Sequence, residues 1–454
     1  MKCTGIKPVL KKKINKLESK GEKMRNKFTK TIAAGVLLCF ISLSILYSTA
    51  ANAEVVINKP RPMCVTYFDS SKAYNGYTLF TPLSSRDTYL IDMQGRIVHC
   101  WDIGSFPGAY ANLLPNGNLL YAAQSDPNEK AKAGVPKTSG QGGIIREVDW
   151  NGKVLWEYKD LFQHHDFCRM KNGNTLIMKY VQVPFELMIK VKGGVPGTEE
   201  DGKMWADGLD EITPQGKVVW SWKAYEHLDP VKDAIGPLDW RKEWSHGNSM
   251  EELKDGDILV SFRNIDKVCI IDKKTGDIKW HYGQGAKEVA HMHAPTMLPS
   301  GNMLIFDNGF NRKIEEVAFS RIVELDPKSK EVKWEYKSPV VVDFFTPACG
   351  NAQRLPNGNT LICETMKGRI FEITPKGEIV WDYTSPFFAQ YLFWGNLNWV
   401  FRAYRYGPDA PELSQAKDLD PLKYEKINKV YGPEAFNQIE KKEQSDDRGC
   451  KKKM

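Results

Sequence analysis

The sequence predicts an all-β fold, a six-bladed β-propeller of four-stranded blades, on three observations. A unit of the form D-x-x-G-x-I/V-x-W-x-Y recurs six times, a second unit built on a tight polar turn recurs between its copies, and no convincing helix precedes the C-terminal tail. Short strands repeated at periods of this length favour a propeller, in which radial repetition leaves few exposed sheet edges. A β-sandwich does not explain why one indole or its equivalent returns at the same place in every unit.

The first unit reads "IDMQGRIVHCW" from Ile91, "VDWNGKVLWEY" from Val148, "ITPQGKVVWSW" from Ile212, "IDKKTGDIKWHY" from Ile271, "LDPKSKEVKWEY" from Leu325 and "ITPKGEIVWDY" from Ile373. Alternating apolar residues around a turn signal predict a β-hairpin in each. Its tryptophan position is filled by His99, Trp156, Trp220, Trp280, Trp334 and Trp381. The second unit reads "ANLLPNGNLLYAA", "DFCRMKNGNTLIM", "NSMEELKDGDILVSF", "APTMLPSGNMLIF" and "NAQRLPNGNTLIC". Two apolar runs again flank a turn, so each complete repeat holds about four strands.

The chain divides into residues 1–53, 54–73, 74–406 and 407–454. Residues 1–30 carry 11 Lys or Arg against Glu18 and Glu22, followed by the uncharged run "TIAAGVLLCFISLSILYSTA" and by Ala51, Asn52 and Ala53. That pattern predicts a secretory signal peptide cleaved before Glu54, with Met24 as an alternative start, and hence a periplasmic protein. Its apolar core of roughly 16 residues is shorter than a spanning helix, so no stable membrane insertion is expected after cleavage. Residues 54–73 form a lead-in, and 407–454 a charged, mobile or weakly helical tail. Taking those 11 and 2 charges from totals of 63 and 56 leaves the exported chain near −2, with no basic patch for nucleic acid. It keeps Cys64, Cys100, Cys168, Cys269, Cys349, Cys363 and Cys450, an odd set without a C-x-x-C spacing. Cys349 and Cys363 flank one hairpin segment and are the candidate disulfide.

Chemistry enters through register. Eight residues before the turn glycine of the second unit stand Ala109, His165, His293 and Gly350, and the longer third copy puts His246 at the same point. Three successive blades therefore carry histidine at the start of one strand, which would bring the three to a common channel mouth. Seven residues after the glycine stand Gln124, Tyr180, Arg263, Asn308 and Thr365. Arg263 closes an apolar strand and needs an anionic partner if buried. Three imidazoles could bind zinc with an open position. They could instead supply a nucleophile and an acid/base pair, with arginine holding an oxyanion through two parallel hydrogen bonds. The second chemistry accounts for Arg263 and the first does not. The plain alternative is that these residues line a solvated channel. His99, His227 and His281 lie outside the register and read as surface or hairpin residues.

The segments "HHDFCRMKNGNTLI" (164–177), "WSHGNSMEELKDGDILVSFRN" (244–264) and "HAPTMLPSGNMLIFDNG" (293–309) resemble the signature segments of the bacterial PAPS-independent arylsulfate sulfotransferases, over roughly residues 74–406. The resemblance implies a six-bladed periplasmic propeller that needs no cofactor. It moves a sulfuryl group from an aryl sulfate donor to a phenolic acceptor through a sulfated histidine, with ping-pong kinetics. It further implies that His293 is the nucleophile, with His246, Arg263 and His165 completing the catalytic set. Asn308, Tyr180 and His164 are candidate substrate contacts, and the aromatic stretch 386–399 is either a lid over the aryl ring or blade-closing core. The separate N-terminal β-domain of some members has no room between residues 54 and 74, and the family's loop disulfide has no assignable counterpart. A weaker resemblance links "IDKKTGDIKW" to the tryptophan-docking repeat of quinoprotein dehydrogenases. Those enzymes have eight blades and a vicinal cysteine pair, absent here. A non-catalytic binding propeller is the third reading.

Overall fold

The computed structural model describes residues 62–140, 142–285, 288–312, 317–391 and 395–436. The expected signal peptide and Cys450 lie outside the described residues. Six antiparallel four-stranded sheets follow one another round a ring. From the innermost strand outward, blade two is Pro107–Leu113, Leu119–Gln124, Gly143–Val148 and Val154–Lys159. Blade three is Gln163–Arg169, Thr175–Gln182, Trp205–Ile212 and Val218–Lys223. Blade four is Gly247–Glu252, Ile258–Phe262, Lys267–Ile271 and Ile278–Tyr282. Blade five is His293–Met297, Met303–Asp307, Arg321–Leu325 and Val332–Tyr336. Blade six is Asn351–Arg354, Thr360–Glu364, Arg369–Ile373 and Ile379–Thr384.

Blade one is made from both parts of the chain. Its outer strands are Tyr77–Pro82, Asp87–Ile91 and Ile97–Asp102, while its innermost strand, Val400–Tyr406, arrives after blade six and pairs Ala403 with Phe80. Blade one therefore has no second-type unit, which is why that unit occurs five times and the first type six. Part of the lead-in is also sheet, because Cys64–Phe68 adds a fifth strand outside blade six.

The repeated tryptophans hold the blades side by side. Each indole Nε1–H donates to a backbone carbonyl in the outer hairpin of the next blade: Trp156 to Pro214 (2.9 Å), Trp220 to Lys273 (3.1 Å), Trp280 to Pro327 and Trp334 to Pro375 (2.8 Å each), and Trp381 to Met93 (2.8 Å). His99 completes the belt, with Nε2 2.9 Å from the Trp150 carbonyl. The ring is half-buried and also bonded to the Tyr424 hydroxyl, so His99 is an interblade link rather than a surface residue. His227 stacks on Trp222, and His281 is exposed on its outer hairpin.

The described part of the tail packs against the ring. A short helix, Glu425–Tyr431, places Asn428 across the N–H and C=O of Ile97, and Leu413 is buried in the core between blades one and two. Cys349 and Cys363 do not form the expected bridge. All six described cysteines are free thiols, and the ladder pairs Cys363 with Asn351, which leaves Cys349 two residues past that pair in a left-handed conformation.

The inner strands start, and the second strands finish, at one end of the ring. An open cleft of about 720 Å³ lined by Ser71, Lys72, Tyr74, Asn357, Asn359 and Asp409 involves turns at the other end and none of the histidines.

Candidate active site

Backbone geometry first gathers the histidines. At the head of the inner strands of blades three, four and five the pairing with the second strand slips, between Ile177 and Lys179, between Gly247 and Ser249, and between His293 and Thr296. Residues at or just before these slips adopt positive φ: His165 at 49°, His246 at 51° and Ala294 at 46°. Non-glycine residues hold such a conformation only where the surrounding fold imposes it, and such outliers cluster at functional sites. A bulge of this kind re-aims a side chain that would otherwise follow the pleat.

Of the expected residues, the structure brings together His165, His246, His293 and Arg263. The rings of His165 and His246 meet edge to face with centroids 4.7 Å apart, and Nδ1 of His246 lies 3.1 Å from the Glu243 carboxylate. His293 is buried and fully bonded. Its Nδ1 is 2.7 Å from Asn308 Oδ1 and 3.0 Å from the His291 carbonyl, and its Nε2 receives the Cys349 N–H at 3.1 Å. An Nε2 that accepts a hydrogen bond must carry its lone pair there, so the proton sits on Nδ1. Burial drives His293 well below the usual histidine range, helped by the charges of Arg263 and His246 and opposed by Asn308. The imidazole is therefore neutral at neutral pH, the form that can attack.

Arg263 begins a 3-10 turn just past its strand and, half-buried, pairs with the anion Asp239, 3.0 Å from one guanidinium nitrogen. Asp239 is shared, since its other oxygen lies 2.8 Å from Nε2 of His291, itself 2.7 Å from the Asn311 amide. Burial pushes the Asp239 carboxyl upward, but hydrogen bonds and charges from His291 and Arg263 outweigh it and hold the group below the ordinary range. Asp239 comes from Ile235–Trp240, a strand that pairs in parallel with Gly193–Val195, outside the six blades. Leu238 and Trp240 on either side of it are exposed.

The other expected contacts point elsewhere. Asn308 is engaged at both ends, its amide nitrogen donating to the Thr346 and Cys349 carbonyls at 2.7 Å each, so it holds His293 and has no donor left for a sulfuryl oxygen. Tyr180 lies against His164 with centroids 3.8 Å apart, and its hydroxyl donates to the Ser139 carbonyl. His164 turns its Nε2 to Asp207, and His165 is the member of the pair whose ring meets that of His246. In 386–399, Phe387 is core, stacked on Tyr89 at 4.2 Å, whereas Phe388 is exposed and is followed by a small hairpin, Ala389–Tyr391 with Gly395–Leu397. Among the described residues no group of three or more His, Cys, Asp or Glu is arranged to hold a metal ion.

Beneath the histidines the axis is bridged. Arg402, from the innermost strand of blade one, reaches Asp166 of blade three at 3.1 and 3.3 Å and the Asn248 carbonyl of blade four at 2.8 Å. Asp166 also accepts from the Tyr110 hydroxyl and from the N–H groups of Phe167 and Met250. A buried ion pair is tolerable only when its remaining lone pairs are satisfied in this way.

Among solved structures, a Bacteroides caccae protein of unknown function aligns at 12% identity over 73% of this chain and 98% of its own, with a TM-score of 0.45. A streptogramin B lyase aligns at 14% identity over 72% of this chain and 85% of its own, with a TM-score of 0.40. A virginiamycin B lyase from Staphylococcus aureus aligns at 12% identity over 71% and 87%, with a TM-score of 0.38. No curated protein matches the chain. Residues 138–386, more than half of the chain, match the family model described as arylsulfotransferase (ASST).

Proposed function

The chain belongs to the arylsulfotransferase family, and from that premise we propose that it carries a sulfuryl group from an aryl sulfate to a phenol by way of a sulfated His293. The observation that carries this reading is the hydrogen-bonded state of His293: a neutral ring, pinned at Nδ1, with the Nε2 lone pair engaged by a single backbone N–H. Covalent catalysis by a weak nucleophile needs that preparation.

In the first half-reaction Nε2 of His293 attacks sulfur, the N–S bond forms, and the bond from sulfur to the aryl oxygen breaks with its electron pair leaving on oxygen. Sulfur takes the place of the Cys349 N–H as partner of the lone pair. Arg263, held by Asp239, faces the negative charge that develops, and donors fixed in advance at such a site lower the barrier most. His246, whose Nδ1 is backed by Glu243, gives its proton to the departing oxygen. In the second half-reaction the acceptor hydroxyl loses its proton to His165, the oxygen attacks sulfur, and the N–S bond breaks to restore neutral His293. Acid–base assistance of this kind contributes roughly 10²–10⁴-fold. The reaction is placed outside the cytoplasm on the strength of the basic and uncharged runs in residues 1–53. Among the described residues no helix is long and apolar enough to cross a membrane.

The test is intact-protein mass spectrometry after brief, cold incubation with 4-nitrophenyl sulfate and no acceptor. One added sulfo group on His293, discharged by phenol, supports the reading. Nitrophenolate release with no adduct on His293 rejects it.

A further inference from the structure

The two half-reactions have opposite proton needs. A departing aryl oxide ends as a phenol and gains a proton, and an acceptor phenol gives one up, so an enzyme that keeps the proton between half-reactions needs a place to hold it. We propose that His164 and Asp207, standing behind His165, are that place: they take the acceptor's proton through His165 in one half-reaction and return it through His165 to His246, whose ring His165 meets, so that His246 can again protonate the aryl oxide of the next donor. The inference rests on the sulfo-histidine reading above.

Three buried groups stand in line. Nδ1 of His165 lies 2.9 Å from Nδ1 of His164, and Nε2 of His164 lies 3.3 Å from Oδ1 of Asp207. A contact between two Nδ1 atoms requires one to donate and the other to accept. With the proton on Nδ1 of His165 and on Nε2 of His164, the order runs from the Nε2 lone pair of His165 to a carboxylate on Asp207. A proton arriving at Nε2 of His165 can then displace its Nδ1 proton onto His164, which passes its Nε2 proton to Asp207. All three groups end neutral, atoms and charge balance, and the reverse order discharges the store.

Surroundings that disfavour charge support this arrangement. Burial, with the charge of His246 next, drives both His164 and His165 well below the usual range, so neither can keep the proton as an isolated cation. Burial also raises the Asp207 carboxyl to about 6, against hydrogen bonds from Ser245 and Gly247 and the charge of His246, while Glu243 adds to the rise. His246, His293 and the Arg402 guanidinium face His165. Ser245, His246 and Glu243 approach Asp207 from the segment leading into blade four, and the Tyr180 ring and Lys179 carbonyl approach His164 from its own blade. Two polar atoms here, His164 Nε2 and Asp207 Oδ2, are buried without an aligned hydrogen bond among the described residues. A purely structural pair would be expected to satisfy them. Neither His164 nor Asp207 reaches the reacting atoms; both act through His165, as positioning residues.

The experiment separates the half-reactions by rapid quench in Asp207→Asn, an isosteric change that keeps the buried shape but cannot take up a proton. Discharge of the sulfo-enzyme to phenol should slow about 100-fold more than its formation from 4-nitrophenyl sulfate, whose leaving group needs no proton. Equal slowing of both steps, or of neither, overturns the proposal. If Asp207→Asn does not fold, the wild-type protein decides. Its discharge rate measured in mixtures of light and heavy water should follow a curved dependence, because more than one proton moves, and a straight line overturns the proposal. A wild-type protein that never becomes sulfated defeats the underlying reading and the store with it, a result distinct from a sulfated enzyme whose half-reactions respond alike.

Discussion

Nδ1 of His293 lies 2.7 Å from Oδ1 of Asn308, and the Asn308 amide nitrogen is committed to two backbone carbonyls, so the amide can present only its oxygen to the ring. The tautomer of His293 is thus set by the loop 346–349. Asn308→Ala should slow sulfo-enzyme formation on the order of 10²-fold, the cost of a misplaced reacting group, with an unchanged circular dichroism spectrum. Stopped-flow nitrophenolate release reads it; an unaltered burst rate argues that the ring is held by something else.

His293→Ala should abolish turnover of aryl sulfates in a protein that still melts cooperatively. Arg263→Ala should retain the ability to be sulfated but lose roughly 10²–10³-fold in rate, the range seen when one fixed donor to a developing anion is removed. Steady-state assay with thermal melts as the folding control checks both. A well-folded His293→Ala protein with normal turnover would end the nucleophile assignment.

Asp239 grips Arg263 with one oxygen and His291 with the other. Asp239→Ala should reduce kcat/KM by about 100-fold because the guanidinium loses its anchor. Asp239→Asn keeps one acceptor and should recover part of the loss. Equal rates for the two variants would mean that the acceptor at 239 does not position Arg263.

Asp266 accepts the His291 N–H at 2.8 Å from a buried, left-handed position, and burial lifts its carboxyl to about 7. An unfolded aspartate releases its proton near 3.9. Between those values the folded state binds more protons, so stability from this group is full at low pH and drains away as pH rises through 7. Asparagine tolerates the same backbone conformation. Asp266→Asn should therefore raise Tm at pH 8 and change it much less at pH 4, as read by calorimetry.

Trp220 contributes its N–H to the Lys273 carbonyl at the blade three to blade four boundary, far from the histidines in the outer hairpin. Trp220→Phe should cost about 1–3 kcal/mol of stability, through the missing bond and the carbonyl left behind, with kcat unchanged. Denaturant unfolding beside an activity assay tests this; an activity loss without a stability loss contradicts it.

Much of this molecule is legible in its sequence because blades repeat. Alternation and turn glycines mark each hairpin, and position counted from the glycine, with the third copy two residues longer, singles out His165, His246, His293 and Arg263 because symmetry sends equivalent residues to one end of the axis. Residues that do not obey the repeat escape. Asp239 arrives on an insertion outside the blades, and His291 stands two places before the register position that His293 fills. Arg402 was hidden by ring closure: its strand comes from the far end of the chain and lacks the turn that marks the other inner strands. The imbalance of five second-type units against six of the first was the available sign. Asn308 shows the opposite failure, since register places it correctly at the site but says nothing about which way its amide is used.

The tryptophan belt has a direction: every indole reaches forward to the following blade, and His99 of blade one does the same for blade two. Each junction is thus nearly interchangeable with the next, and a rim of such junctions would close equally well around more blades or fewer. What counts to six is at the centre. Arg402 must span from blade one to Asp166 and the Asn248 carbonyl, and a ring one blade wider would leave a guanidinium stranded short of its carboxylate. The rim supplies a generic hinge plate, and the axis acts as the gauge that admits a single circumference.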